Sequence, residues 1–194
     1  MRIAILAVQG DGKEHKKMLE KLGVECVELG NAKDLEQEFD GLVLPGGESV
    51  IQGKLIQELG MLEKLKERIK EGIPVLATCA GLILLAKEIE GTTQKYLGLL
   101  PVTVRRNAYG AQMGSVFQKA EVKGIGKVPM TFIRAPYISA VHNRAKIMAE
   151  VDGRIVAVQY QNMLGVSFHP ELGEDVRIHT YFLEMVYERK GLAA

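Results

Sequence analysis

With 194 residues, 47% of them hydrophobic and 25% charged, the chain has the composition of an ordinary globular protein, and its length suits one domain, residues 1–194, with a substantial core. A formal net charge of +1 gives no electrostatic case for a nucleic-acid or anionic-membrane partner, and no apolar run approaches the roughly 18 residues that span a bilayer. Two cysteines, Cys26 and Cys79, are too few for a disulfide framework and point to a reducing, cytoplasmic setting.

Met1 to Val8 is apolar but short, and it runs into Gln9-Gly10-Asp11-Gly12 without a cleavage-site pattern, so it reads as a first strand and not a signal peptide. Its near-continuous apolar character over Ile3–Val8 suits a strand covered on both faces. Lys13 to Leu22 reads as a helix, with Met18, Leu19 and Leu22 at helical spacing and Gly23 as its C-cap. Val24–Leu29, carrying Cys26 as a small core hydrophobe, and Gly41–Leu44 are further strands. Ser49–Leu59 can be helical, and Met61, Leu62, Leu65 and Ile69 mark an amphipathic helix. Pro74–Thr78 is a short apolar strand, and Gly81–Lys87 starts another helix. This alternation predicts an α/β fold with a mostly parallel central sheet flanked by helices.

After Gly91 the character changes. Val102–Val104, Ser115–Phe117, Ala120–Val122 and Thr131–Ile133 read as short added antiparallel strands or extended loops over one end of the sheet. Ile155–Tyr160 and Leu164–Phe168 are strands again, and Glu174–Lys190 is a final helix with Ile178, Phe182, Met185 and Val186 on one face.

The chemistry gathers at strand ends. Only Cys79-Ala80 separates the Pro74–Thr78 strand from the next helix, with small residues Ala77 and Gly81 on either side. That is the pattern of a nucleophile elbow with Cys in the nucleophile's place, where the helix N-terminus favours a thiolate. A buried structural cysteine ending a parallel strand fits the same residues. His169-Pro170-Glu171 follows the Leu164–Phe168 strand. Pro170 holds His169 extended, so His169 and Glu171 emerge on one side, and the acid can orient the base of a Cys–His–acid triad. Taken alone, a surface turn with an incidental acid would look the same. Pro45-Gly46-Gly47-Glu48-Ser49 also follows a strand, and its glycines let backbone N–H groups approach a developing oxyanion, though a plain strand-to-helix loop fits Gly-Gly equally well. In an open parallel sheet the ligand site lies beyond the C-terminal strand ends, so these stretches can converge on one cleft.

Pro-Gly-Gly-Glu-Ser, Thr-Cys-Ala-Gly and Ser-Phe-His-Pro-Glu, in this order, resemble the class I (triad) glutamine amidotransferases. Val8-Gln9-Gly10, Arg106-Asn107 and Phe132-Ile133-Arg134-Ala135-Pro136 narrow the resemblance to the glutaminase subunits of pyridoxal 5′-phosphate synthase, over essentially the whole chain. One departure is Val50, where that family usually has Thr, a difference that bears on local helix capping or partner contacts. The resemblance implies a single-domain, flavodoxin-like class I amidotransferase fold. It implies Cys79 as nucleophile on L-glutamine, His169 as base and then acid, and Glu171 as orienter. It further implies Gly47 and Ala80 N–H groups as oxyanion donors and Gly46, Gly47, Glu48, Arg106, Ile133 and Arg134 as glutamine-binding positions. Arg106 and Arg134 would take the substrate carboxylate and Glu48 its ammonium, although either Arg alone reads as a solvated surface charge. Ammonia would pass to a separate synthase subunit building pyridoxal 5′-phosphate from a pentose phosphate and a triose phosphate, while this chain binds no cofactor. No His/Cys cluster has metal-ligand spacing, and His15, His142 and His179 read as surface or partner-facing. The competing readings are an amidotransferase subunit feeding histidine or tryptophan synthesis, a cysteine peptidase or repair hydrolase of related fold, and a non-catalytic flavodoxin-like module.

Overall fold

The structure, a computed structural model, describes residues 1–106 and 115–191. In chain order the first half runs β1 (Arg2–Leu6), α1 (Gly12–Lys21), β2 (Glu25–Leu29), a 3-10 turn (Ala32–Glu36), β3 (Gly41–Leu44), α2 (Ser49–Glu58), α3 (Leu62–Lys70), β4 (Val75–Thr78) and α4 (Ala80–Leu85). The second half runs β5 (Ala86–Ile89), β6 (Leu100–Arg105), β7 (Ser115–Val122), β8 (Gly126–Ile133), β9 (Tyr137–Val141), β10 (Lys146–Val151), β11 (Arg154–Tyr160), β12 (Met163–Val166) and α5 (Arg177–Arg189).

Among the described residues the strands form a ten-stranded sheet in the order β2-β1-β3-β4-β12-β11-β9-β6-β5, with β10 added on β11, and a separate β7–β8 hairpin. From β2 to β12 every pairing is parallel; β12–β11, β11–β9 and β9–β6 are antiparallel. Apolar residues alternate between the two sheet faces, as a strand's period of two requires. Ala4, Leu6, Leu42, Leu44, Val75 and Ala77 face one core with Ile56 of α2, Leu65 and Ile69 of α3 and Leu82 of α4. Ile3, Ile5, Val43, Leu76, Leu164 and Val166 face the other with Leu19 of α1, Ile178, Phe182 and Val186 of α5, and Phe132 of β8. Burial on both faces is why these strands are continuously apolar in sequence.

Some sequence expectations are corrected. The helix read over Gly81–Lys87 ends at Leu85, and Ala86–Ile89 is a strand. The reason is pairing: Ala86, Glu88 and Ile89 align with Leu100, Thr103 and Val104 of β6, so sheet hydrogen bonds replace another helical turn. Ser115–Phe117 and Ala120–Val122 are parts of one strand, β7, continuously paired with β8 from Ser115↔Ile133 to Val122↔Gly126. The strands β9 and β10 went unread, because their mixed side chains carry little periodicity without their partners.

Candidate active site

The elbow after β4 is sharp. Cys79 sits at φ 50° and ψ −107°, a region costing a residue with a Cβ about 1–3 kcal/mol. The surroundings hold it there: its N–H donates to the Val166 carbonyl at 2.9 Å, and its own carbonyl accepts from the Leu82 N–H at 3.1 Å. Gly81 is required by close approach, since a Cβ there would lie 1.9 Å from the Leu44 carbonyl oxygen. The elbow therefore packs directly on the end of β3. Ala80 opens α4, so its N–H has no carbonyl one turn back to bond and is available beside Cys79.

His169 and Glu171 arrive from the end of β12, and the His169 N–H donates to the Thr131 carbonyl of β8 at 2.9 Å. His169 Nδ1 lies 2.6 Å from Glu171 Oε1, and both residues are almost wholly buried. The separation i to i+2 across Pro170 delivers the pair to one side, as read from the sequence. Burial opposes charge on the imidazole, but its hydrogen bonds to Cys79 and Glu171 and the electrostatic pull of both outweigh it and push the His169 pKa up to about 10. His169 is thus held as imidazolium beside the sulfur. Cys26 is different: half-buried, its thiol is pushed up to about 11 by desolvation, followed by nearby Glu20, so it is a poor nucleophile.

Cys79 and His169 line a cleft of about 730 Å³ together with Gly47, Glu48, Ala80, Ile83, Arg106, Ile133 and Arg134. Nearly all the sequence-derived site residues therefore meet there. Glu171 stands behind His169, outside the lining. Gly46 is likewise behind the wall: a Cβ on it would come 2.5 Å from His169 Cε1, so its glycine makes room for the imidazole ring. The Gly46-Gly47-Glu48 loop is held from below. Gln9 Oε1 accepts the Glu48 N–H at 2.8 Å, and Gln52 Nε2 donates to the carbonyls of Gln9 (3.0 Å), Pro45 (3.3 Å) and Gly46 (3.4 Å). Glu48 Oε1 accepts the Val50 N–H at 3.2 Å and caps α2 through backbone, so the Val50 side chain, 48% exposed, leaves that cap unchanged. On the far wall the Ile133 carbonyl lies 3.8 Å from Cys79 Sγ, Arg134 is exposed at φ 46°, and Arg106 Nη2 reaches Tyr96 Oη at 3.4 Å. Asn107, quoted beside Arg106, lies outside the described residues.

Two histidines contradict the sequence reading. His15 and His179 are not at the surface; both are 0% exposed, and His15 Nδ1 lies 2.8 Å from His179 Nε2. The signal was present: His15, Met18, Leu19 and Leu22 share one helical face, and Ile178, His179 and Phe182 another. His142 is partly buried and lies 3.0 Å from Thr103 Oγ1, remote from the cleft lining. Gln52 was also missed, since a glutamine one turn into a helix carries no sequence mark of its loop contacts. Among the described residues, Asp11, His169 and Glu171 bring ligand-type atoms within 4.8 Å of one another, but His169 Nδ1 and Glu171 Oε1 are already engaged with each other.

Residues 5–188 match the model of the SNO glutamine amidotransferase family. The chain belongs to that family. It is 56% identical, over 98% of its length and 96% of the relative's, to a pyridoxal 5′-phosphate synthase subunit PdxT of Desulfitobacterium hafniense (strain Y51). It is 53% identical to a protein of the same name from Streptococcus pneumoniae (strain CGSP14), covering 98% of this chain and all of that one. A crystal structure of a glutamine amidotransferase superposes with a TM-score of 0.90 at 42% identity, covering 95% of this chain and 98% of that one. The fold of this family member is accordingly the class I amidotransferase fold, with its parallel sheet extended by antiparallel strands. Among the described residues no helix is long and apolar enough to cross a membrane.

Proposed function

We propose that this amidotransferase is the glutaminase subunit of a pyridoxal 5′-phosphate synthase, working through Cys79, His169 and Glu171. The observation that carries the reading is a strained cysteine elbow at the floor of the cleft, hydrogen-bonded to a buried imidazole whose other nitrogen is 2.6 Å from a carboxylate. The names of the PdxT relatives support the synthase assignment. The Cys79 sulfur adds to the side-chain amide carbon of L-glutamine, and the oxyanion is met by the N–H groups of Gly47 and Ala80. His169 gives its proton to the leaving ammonia, and a γ-glutamyl thioester remains. His169, now neutral, takes a proton from water as it attacks, and glutamate leaves with the thiolate restored. Glu171 keeps the imidazole in register and stabilises its charge. Glu48 at one wall and Arg106 and Arg134 at the other supply charges opposite to the substrate ammonium and carboxylate. Gly46 shapes the space for His169, Ile133 closes the wall beside the sulfur, and the ammonia passes to the synthase subunit.

Hydrolysis uncoupled from an acceptor wastes glutamine, so the lone chain is a poor glutaminase and the synthase activates it. The Gly46–Gly47 peptide is the element that would turn: neither glycine has a Cβ to resist rotation, and the turn would exchange the hydrogen bonds that the Gly46 carbonyl accepts from the Asp11 N–H and Gln52 Nε2. One oxyanion donor is worth about 10²–10³ in kcat, which makes the Gly47 N–H a sufficient gate. The test is glutamate release by the chain alone and with saturating synthase subunit. Activation by about that factor is expected; equal rates would remove the gate and leave the triad standing.

A further inference from the structure

The triad's acid is only half explained by His169. Glu171 Oε1 is engaged, but Oε2 is buried and has no hydrogen-bond partner among the described residues. The donor-capable atom facing it is His15 Nε2, at 3.5 Å, with both side chains 0% exposed. His15 Nε2 also lies 3.2 Å from Thr78 Oγ1, the residue immediately before the nucleophile. Behind His15 stands His179, Nε2 to Nδ1 at 2.8 Å. The first turns of α1 and α5 thus place two buried histidines in line behind the catalytic carboxylate.

The tautomers follow from satisfaction of buried groups. His179 Nδ1 has no partner among the described residues. If His15 donated from Nδ1, His179 would have to carry its own proton on Nδ1, leaving a buried N–H unpaired. It would also turn a lone pair of His15 toward a carboxylate. With the opposite assignment, His179 Nε2–H donates to His15 Nδ1, and His15 Nε2–H points at Thr78 and Glu171 Oε2. Only a weak bare acceptor on His179 is then left, the cheaper of the two.

We propose that His15, held in this tautomer by His179, is a positioning residue of the triad: a neutral N–H donor that fixes the free oxygen of Glu171. The inference rests on the triad reading above. Neutrality matters. Burial first, then the proximity of His179 and the His169 charge, hold the His15 pKa well below its ordinary value, and burial lowers that of His179 to about 4. A neutral donor steadies the carboxylate without competing with the His169 imidazolium for its charge. The 3.5 Å separation is long for a hydrogen bond; hydrogen bonds at catalytic sites are often long without substrate and tighten in its complex.

The experiment measures glutaminase kinetics of the chain saturated with its synthase subunit, for His15→Asn, His15→Gln, His179→Leu and the control Glu171→Gln. Asn cannot place a donor where Nε2 lies, whereas the Gln amide can. His15→Asn should lose about 10–100-fold in kcat, the value of a hydrogen bond to a charged group, with KM within about twofold. His15→Gln should recover most of that at a similar Tm, and His179→Leu should lose less than the Asn variant. In proton NMR, the low-field His169 Nδ1–H resonance should move in the Asn variant and return in the Gln variant. Equal kcat in the Asn and Gln variants, with that resonance unmoved, would overturn the relay. So would a folded His179→Leu protein with unchanged kcat and resonance. If Glu171→Gln itself had no effect, the triad reading would fall instead.

Discussion

The parallel half of the sheet, β2 to β12, and the antiparallel half, β11 to β5 with the β7–β8 hairpin, contribute different things to one cleft. In the parallel half all strands end at the same edge, so the turns after β3, β4 and β12 deliver the Gly46–Gly47 loop, Cys79 and His169 to one place. Parallel order aligns backbone ends, and aligned ends can support a rigid reacting constellation. In the antiparallel half direction reverses from β11 to β9 and from β9 to β6, with β5 parallel to β6 at the edge, and among the described residues the cleft receives from this half Arg106 after β6 and Ile133–Arg134 at the end of β8. Under the proposed function the difference teaches that chemistry is anchored where strand ends coincide, while the substrate-facing wall is supplied by added strands. β12 is the border, parallel to β4 and antiparallel to β11, and His169, the proposed base, follows its end.

The strongest way to break this comparison is at the parallel edge. Cys79→Ala should abolish glutamate release, by about 10⁴-fold or more, while the fold is kept, because the loss of a nucleophile leaves only binding and the oxyanion donors. His169→Ala should be nearly as severe, and Glu171→Gln less so, since a base without its orienter still acts part of the time. An electrophilic glutamine analogue should label Cys79 and spare Cys26, whose thiol is raised to about 11. Labelling confined to Cys26, or normal turnover by the Ala variant, would remove the parallel edge from the chemistry.

The second effect is acid lability of the same half. The folded-state pKa of His179 is lowered by burial from 6.5 to about 4. The unfolded chain therefore binds more protons between those values, so the contribution of this residue is full above pH 6.5 and is lost as pH falls toward 4. The loss is on the order of 3 kcal/mol. Urea midpoints at pH 7 and pH 4.5 measure it, and His179→Leu should reduce the dependence, His15 keeping its own share because burial lowers its pKa too. An unchanged slope in that variant would place the acid sensitivity elsewhere.

The smallest effect sharpens the other side. Arg106→Ala and Arg134→Ala should raise KM for glutamine about tenfold and leave kcat within a few fold, as expected of groups that bind the substrate carboxylate without touching the reacting atoms. A loss in kcat at constant KM would mean that the antiparallel wall takes part in the chemistry, and the division of labour would fail.

By itself the sequence determined the local constraints. Continuous apolar runs marked β1, β3 and β4 because strands buried on both faces must be apolar at every position. Small residues around Cys79 announced a tight corner, and Pro170 between His169 and Glu171 set their common direction, both being backbone rules acting over a few residues. Tertiary structure decided whatever depends on a partner distant in the chain. Ala86–Ile89 became a strand only because β6 lies beside it, and β9 and β10 exist only through their ladders. His15 and His179, 164 residues apart, became a buried pair behind Glu171 only when α1 and α5 packed on the same sheet face. A histidine's residue type is compatible with surface and core alike, and burial is settled by what the rest of the chain places against it.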